Sequence, residues 1–198
     1  MNATFPELRI PLAKPPLPGS VSEDLRGVIE SGRLVCGPHA TDFETLTAKR
    51  VGVDHAVATS SGTLGAWVLL QALEIPTGAN VAVPAFTFIG VANAIFCAGG
   101  VPVPIDICAH DLAMDPKLLE EAAQNEELWG AMVVDPFGFA VDFEPYETIC
   151  AKYGLVLMED AACALGSVST KGESAGSRGV GAIFSFHPRK VVTSGEGG

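Results

Sequence analysis

The sequence predicts an α/β domain of three layers, α/β/α, in which a mostly parallel sheet lies between two layers of helices. From residue 55 onward, short apolar segments alternate with longer segments whose apolar residues recur at helical spacing. Glycine, proline and asparagine separate most of these segments, as expected where strands and helices end. The length of 198 residues fits one large domain with a sizeable core.

The part of the chain before this alternation is predicted to hold an arm and two helices. Residues 1–18 are rich in proline and are expected to form an extended arm, which leaves residues 19–198 for the folded domain. The first helix is expected to begin near Ser22, with that serine as its N-cap, and to end at Gly32. The second is expected from about His39 to Arg50.

The region after residue 54 alternates between strands and helices. Such alternation is typical of parallel strands joined by right-handed crossovers, and the ligands of such sheets bind at the carboxyl ends of the strands. The predicted strands are His55–Thr59, Val81–Val83, Val101–Ile105, Ala131–Val134, Leu155–Met158 and Ala182–Phe186. The predicted helices are Gly62–Leu73, Thr87–Ala98, Asp115–Gln124 and Glu144–Tyr153.

One long stretch without charge raises the question of a membrane span. No charged side chain occurs from Ile75 to Ile105, which is long enough for a helix to cross a bilayer. Pro84, Pro102 and the Gly99-Gly100 pair divide the stretch into pieces that are too short to do so. We therefore predict a strand, a turn, a helix and a second strand, all buried inside the α/β domain.

Charge and composition exclude several classes of partner. The formal net charge is −11, with 12 basic and 23 acidic residues. Nucleic acids and anionic membranes bind to clusters of basic residues, and a chain with this charge is not expected to have one. Neither is therefore expected as a partner. The N-terminus has prolines and both signs of charge where a secretory signal would have a basic start and an apolar core. We therefore expect a cytoplasmic protein.

The five cysteines form no CxxC pair and no zinc spacing. An odd number of cysteines in a reducing compartment indicates free thiols. Asp106, Cys108 and His110 alternate after a predicted strand, but three mixed ligands are a weak signal for a metal site, and we expect none.

Two predicted loops at the carboxyl edge of the sheet carry hydroxyl and aromatic side chains. The segment Thr59–Thr63 leaves a strand and opens a helix, so its amides and hydroxyls could hold a phosphate at the helix N-terminus or could serve as an ordinary N-cap. The sequence lacks the GxGxxG and GxxxxGK[ST] patterns of dinucleotide and nucleoside triphosphate sites. Phe86 and Phe88 could stack on a planar ring or pack under the following helix.

Two further loops carry carboxylates and an amine. Glu159 and Asp160 end an apolar strand, where a buried carboxylate needs a cationic partner. A protonated ring nitrogen about 4 Å away would contribute about 4 kcal/mol, whereas the alternative is an aspartate that caps the next turn. Lys190 follows the last strand and is either an amine nucleophile or a surface lysine. Together, these four loops contain the groups needed to hold pyridoxal 5'-phosphate.

A series of short motifs occurs in one order from about Pro18 to the end of the sequence. They are Ser31-Gly32, Cys36-Gly37-Pro38, Phe43-Glu44, Val57–Thr63, Val83–Phe88, Asn93–Ile95, Gly100–Val103, Glu159–Ala162, Ser185–Lys190 and Gly195–Gly198. This series resembles the DegT/DnrJ/EryC1/StrS sugar aminotransferases, a family with the aspartate aminotransferase fold. The resemblance implies the large domain of a fold type I transferase that depends on pyridoxal 5'-phosphate (PLP).

The resemblance also implies a role for individual residues. Lys190 matches the lysine that binds the cofactor covalently and then moves the substrate proton. The presence of lysine at this position separates the chain from related dehydratases, which have histidine there. Asp160 matches the aspartate that pairs with the pyridine nitrogen. The remaining cofactor-binding matches are Phe88, which stacks on the ring, and Gly62, Thr63 and Ser185, which contact the phosphate.

The sequence departs from the family pattern at two points. Cys163 stands where the family usually has glutamine or histidine near the phenolic oxygen of the cofactor, and a thiol is a weaker hydrogen-bond donor. The family also continues well past the Gly195–Gly198 motif. We therefore expect an incomplete large domain and no C-terminal small domain in these 198 residues.

Two functions from different classes follow from these observations. In the first, the chain is all or part of an aminotransferase that moves an amino group from glutamate to a keto group of a nucleotide-linked sugar, and that acts as a homodimer. In the second, it is a truncated, non-catalytic homologue that acts as a cofactor-binding or interaction module.

Overall fold

The protein is described here by a computed structural model that covers residues 13–35 and 37–198. Its strands are β1 (Asn80–Pro84), β2 (Val101–Ile105), β3 (Leu128–Val134), β4 (Val156–Asp160) and β5 (Ala182–Ile183). Its helices are α1 (Val21–Ser31), α2 (Pro38–Val51), α3 (Gly62–Ala72), α4 (Gly90–Cys97), α5 (Pro116–Asn125) and α6 (Glu144–Tyr153). A short 3₁₀ turn, Pro136–Gly138, follows β3.

The five strands form one sheet in the order β2-β1-β3-β4-β5. Every pairing between neighbouring strands is parallel. All the strands therefore end at the same edge of the sheet, and the order reverses between β1 and β3, where crevices for ligands form in sheets of this kind.

Helices cover both faces of the sheet. On one face, α3 and α4 pack against a core that includes Leu70, Ile95 and Met132, all of which are fully buried. On the other face, α5 and α6 pack against a second core that includes Leu119 and Phe143. The predicted three-layer α/β/α class is confirmed, since helices pack on both faces of the parallel sheet.

The uncharged stretch from Ile75 to Ile105 forms the predicted elements, β1, α4 and β2. The prediction that all of it is buried is wrong, because β2 lies at the edge of the sheet and Val101 and Phe96 are exposed. Within the described residues, no helix combines the length and the apolarity that crossing a bilayer demands. Proline and glycine therefore divide this apolar stretch into separate elements of the α/β domain.

The predicted strand His55–Thr59 does not form. Thr59 does exchange two backbone hydrogen bonds with Gly198, with N···O distances of 2.8 and 3.0 Å. An apolar cavity of about 480 Å³, however, lies between this segment and β5, and both line it. A strand forms only where a partner backbone lies alongside. This segment has such a partner only at Thr59, so it forms no regular strand.

Other boundaries also differ from the predictions. The predicted strand Ala182–Phe186 is reduced to the two residues of β5, because β4 pairs only with those two and the chain then turns away. Ser22 is not the N-cap of α1, whose cap position is Ser20, and that serine makes no side-chain capping bond. Residues 1–12 of the predicted arm lie outside the described residues.

A buried tyrosine gives a testable prediction about this core. Tyr146 is only 2% exposed, and its hydroxyl donates to the carbonyl oxygen of Met114 across 2.5 Å. Tyr146→Phe should lower the free energy of unfolding by about 1–2 kcal/mol, because it removes the donor from a buried carbonyl. Urea unfolding measures the change. The matched control is Tyr153→Phe, because the hydroxyl of Tyr153 lies nearer the surface. Equal losses of unfolding free energy in the two variants would contradict the prediction.

Candidate active site

The predicted site residues lie on loops that leave one edge of the sheet. Phe88 follows β1, while Asp160 ends β4 and Cys163 comes shortly after it. Ser185 and Lys190 follow β5. Since parallel strands carry their carboxyl ends to a common edge, these loops are neighbours in space.

The N-terminus of α3 packs directly against the loop after β5. A Cβ atom built on Gly62 would lie 2.9 Å from the carbonyl oxygen of Phe184 and 3.1 Å from the Cβ of Ser185. Only glycine allows this approach, so the first turn of α3 and the Ser185 backbone touch. The N-cap is Ser61, whose hydroxyl accepts from the backbone N–H of Leu64 at 3.1 Å. The N-cap interpretation therefore applies to Ser61.

The side chains of Thr63 and Phe88 both lie close to Gly90, the first residue of α4. A Cβ on Gly90 would lie 2.5 Å from the hydroxyl oxygen of Thr63 and 2.6 Å from the ring of Phe88. The ring of Phe88 is 74% exposed and precedes α4. Phe88 therefore does not pack under the helix, and its ring is accessible for stacking on a planar ligand.

The loop that carries Lys190 is anchored at Phe186. The ring of Phe186 is buried and packs edge-on against Phe43, with ring centroids 4.7 Å apart. Its backbone N–H donates to the carbonyl oxygen of Gly197 at 2.9 Å. The amine of Lys190 lies 2.9 Å from the sulfur of Cys163. The structure thus brings together two residues that are 27 positions apart and were both predicted in the site.

Asp160 is a buried carboxylate close to this amine. Its oxygen Oδ1 accepts from the backbone N–H of Ala162 at 3.0 Å, which is the predicted capping bond. Burial raises the pKa of Asp160 to about 6, while the N–H of Ala162 and the charge of Lys190 favour the ionised form. At neutral pH, Asp160 therefore carries a negative charge in a buried position.

The buried carboxylate of Glu159 has hydrogen-bond partners that the sequence did not indicate. Its two oxygens accept backbone N–H groups from Gly176 at 2.6 Å and from Arg178 at 3.0 Å, where a cationic partner had been expected. Asp135, a carboxylate that the predictions omitted, lies beside it and is 1% exposed. The signal for Asp135 is the one used for Asp160, since both are carboxylates at the end of an apolar strand.

The residues considered as weak metal ligands are only partly together. The ligand atoms of Cys108, His110 and Asp111 lie within 4.8 Å of one another, so Asp111 takes the place that Asp106 had in the prediction. The carboxylate of Asp106 accepts from the backbone N–H of Ile107 instead. His110 and Asp111 form an ion pair of 3.1 Å at the surface when the histidine is protonated.

The glycine contact gives a prediction about the N-terminus of α3. Gly62→Ala should destabilise the chain by about 1–3 kcal/mol, because the new methyl group meets backbone and Cβ atoms that have little freedom to move. Gly27→Ala is a matched control within α1, where a Cβ meets no atom within 4 Å, and it should stabilise by up to about 1 kcal/mol. Urea unfolding of both variants tests this, and a neutral Gly62→Ala would show that α3 and the Ser185 loop are not in contact.

The chain is similar to several solved structures. Spr1654 from Streptococcus pneumoniae, in its PMP-form, is 27% identical, with a TM-score of 0.89 over 96% of this chain and 51% of its own. Helicobacter pylori PseC, an aminotransferase involved in the biosynthesis of pseudoaminic acid, is 25% identical, with a TM-score of 0.87 over 94% of this chain and 50% of its own. DesI, solved in the presence of its TDP-sugar product, is 32% identical, with a TM-score of 0.80 over 89% of this chain and 44% of its own. The chain spans about half the length of the solved relatives it matches.

The model of the DegT/DnrJ/EryC1/StrS aminotransferase family matches residues 19–198, which are most of the sequence. That range contains all five strands and every loop that carries a predicted site residue. The chain therefore belongs to the DegT/DnrJ/EryC1/StrS aminotransferase family.

Proposed function

We propose that this chain is the cofactor-binding part of a PLP-dependent aminotransferase that moves an amino group from glutamate to a keto group of a nucleotide-linked sugar. One observation carries the proposal: the charge of Lys190 acts on the buried carboxylate of Asp160, and both residues lie at the edge of the sheet where α3 begins.

The residues at the phosphate end fit the cofactor. The first turn of α3 offers backbone N–H groups and the positive end of the helix dipole, which favour an anion. Thr63 belongs to that turn, and Ser185 lies next to it, because Gly62 allows the Cα and Cβ of Ser185 to approach. We assign the phosphate to Gly62, Thr63 and Ser185.

The residues around the ring end fit as well. Phe88 offers an exposed ring face for stacking. Asp160 offers a buried negative charge that pairs with a protonated ring nitrogen and keeps it protonated. Cys163 touches the amine of Lys190 and is assigned to the side of the ring that carries the phenolic oxygen.

In this assignment, the chain supplies binding, orientation and proton transfer. When bound, PLP supplies the electron sink that stabilises negative charge on the substrate carbon that loses its proton. Lys190 would hold the cofactor covalently, and its amine would carry that proton once substrate is bound. Asp160 would hold the ring nitrogen in its charged form.

The choice of substrate is supported by the relatives. DesI was solved with its TDP-sugar product, and Spr1654 was solved in both a PLP-form and a PMP-form, which differ by the amino group that the cofactor carries. Family membership also supports a homodimer. We extend both features to this chain as part of the proposal.

Titration of the 198-residue chain with PLP tests the proposal. The expected result is a visible absorption band that borohydride bleaches, with one phosphopyridoxyl group retained per chain. Peptide mapping should locate that group on Lys190 and not on any of the other lysines. Labelling spread over surface lysines would overturn the assignment.

Amino transfer is tested separately, because PLP binding alone also fits a non-catalytic module. A separate sample of the PLP-loaded protein that has not been reduced is incubated with glutamate and a TDP-linked keto sugar, and 2-oxoglutarate and the amino sugar are measured. Formation of both in equal amounts supports the aminotransferase. Tight, specific labelling of Lys190 without either product favours the cofactor-binding module for this chain.

A further inference from the structure

Two buried carboxyl groups touch each other beside Asp160. Asp135 follows β3 and Glu159 lies in β4, and each is 1% exposed. The two side chains are in hydrogen-bonding contact. Two carboxylates are both acceptors, so this contact is a hydrogen bond only if one of them carries a proton.

The other hydrogen bonds show where that proton resides. Both oxygens of Glu159 already accept backbone N–H groups, from Gly176 and Arg178. Oxygen Oδ1 of Asp135 accepts from the backbone N–H of Val141 at 2.9 Å. Oxygen Oδ2 of Asp135 is buried and has no donor within reach among the described residues. A proton on Oδ2 lets Asp135 donate to Glu159 and leaves no oxygen of the pair unsatisfied.

The charges that surround the pair favour the same assignment. Glu159 lies on the same face of the sheet as Asp135, the charge of Asp160 also acts on Asp135, and Tyr146 interacts with it from α6. The positive charge of Arg178 acts on Glu159, but Arg178 also forms ion pairs with Glu147 and Glu173. Burial, followed by the contact with Glu159, raises the pKa of Asp135 to about 8. Burial also raises the pKa of Glu159, while its bonds to backbone N–H groups oppose that rise.

Asp135 is also tied directly to the candidate active site. Its backbone N–H donates to the carbonyl oxygen of Asp160 at 3.0 Å, in a register that pairs Val134 with Asp160. Asp135 and Glu159 face the α5 and α6 side of the sheet and Asp160 faces the α3 and α4 side. The charges of the three carboxyl groups still interact, so a proton on one of them reduces the repulsion among all three. The N–H of Ala162 and the charge of Lys190 favour the ionised form of Asp160, so the proton belongs to the other end of the cluster.

We propose that Asp135 is a positioning residue that holds a proton in a hydrogen bond to Glu159, and so leaves Asp160 as the carboxylate that pairs with the ring nitrogen. The first half of this statement stands on the contacts of the chain alone, whereas the second half rests on the proposed function. Asp135→Asn is the matched probe, because its amide oxygen still accepts from Val141 and its NH₂ group still donates to Glu159.

The proton is tested by urea unfolding of the wild type and Asp135→Asn from pH 5 to pH 9.5, without cofactor. A carboxyl group whose pKa is raised in the folded state stabilises fully below its unfolded pKa and loses that stabilisation as pH rises to its folded pKa. The unfolding constant of the wild type should therefore rise about tenfold per pH unit relative to Asp135→Asn between pH 5 and pH 8, and then level off. A constant ratio over that range would overturn the proposal.

A second measurement does not depend on any variant. Infrared spectra of the wild type should contain the carbonyl band of a buried protonated carboxyl group at pH 7, and this band should fall to about half near pH 8 and be lost at higher pH. A spectrum without the band at pH 7 would overturn the proposal, even if Asp135→Asn failed to fold.

The positioning role is tested with PLP. Asp135→Ala removes both the donor to Glu159 and the acceptor for Val141. It should weaken PLP binding at least about tenfold, since a tenfold change in affinity has the same free energy as a pKa shift of one unit. Asp135→Asn should restore the affinity to within a few-fold of the wild type. Equal weakening in both variants would refute the positioning role. Absence of PLP binding in the wild type would refute the proposed function and leave the pH experiment to decide on the proton.

Discussion

Replacement of Lys190 by alanine is expected to abolish covalent attachment of PLP and to reduce amino transfer by at least about 10³-fold. The same amine both holds the cofactor and carries the substrate proton, so its loss removes two contributions at once. The visible band of the PLP-loaded protein and the mass retained after borohydride reduction measure the first effect. The rate of 2-oxoglutarate release from glutamate measures the second.

Two controls make this experiment specific. Lys117→Ala removes an exposed lysine at the start of α5, on the other face of the sheet, and should leave the band unchanged. Thermal unfolding of Lys190→Ala shows whether the variant still folds, which is expected because the loop is held by Phe186 and not by the lysine. If Lys190→Ala retained the reducible band, another lysine would be the attachment site.

Replacement of Asp160 by asparagine is expected to weaken PLP binding by about 10³-fold. A charge pair about 4 Å apart at an effective dielectric constant of 20 contributes about 4 kcal/mol, and the neutral amide forfeits most of it. The amide oxygen of asparagine still accepts from the N–H of Ala162, so the turn after β4 is retained. The dissociation constant of PLP, obtained by titration at pH 7.5, measures the effect.

The dependence on pH distinguishes loss of charge from loss of shape at this position. The pKa of Asp160 is raised to about 6, so wild-type affinity for PLP should fall below that pH as the carboxylate gains a proton. Asp160→Asn has no carboxylate to titrate, and the ratio of the two affinities should shrink towards one as the pH falls. A ratio that stays constant from pH 5 to pH 8 would mean that Asp160 acts through packing.

Sequence patterns located most of the fold because they are local. The alternation of apolar strands and amphipathic helices needs only nearest neighbours along the chain, and it correctly predicted a parallel sheet with helices on both faces. The same patterns failed at His55–Thr59. Its apolar residues favour a strand, but strand formation also depends on a partner backbone that local patterns do not contain.

The candidate site shows the same division. Lys190, Asp160 and Phe88 could be named from the sequence because each follows an apolar strand, and parallel strands end at one edge. Whether Phe88 stacks or packs under a helix could not be decided in this way, because both require the same residue at the same place. The exposure of Phe88 shows that it does not pack under the helix, and stacking on the cofactor ring stays a prediction. Asp135 also follows an apolar strand, so the same signal could have named it, but the sequence does not show that its side chain lies buried against Glu159.

By itself, the sequence determined the order of elements, the strand ends that carry chemical groups, and the family to which these motifs belong. Only the tertiary structure decided which groups meet: the amine of Lys190 with the thiol of Cys163, and the carboxyl of Asp135 with that of Glu159. The physical reason is that such contacts join residues more than 20 positions apart. They are set by the register and order of the strands, and they determine which side chains lose water and which must keep a proton.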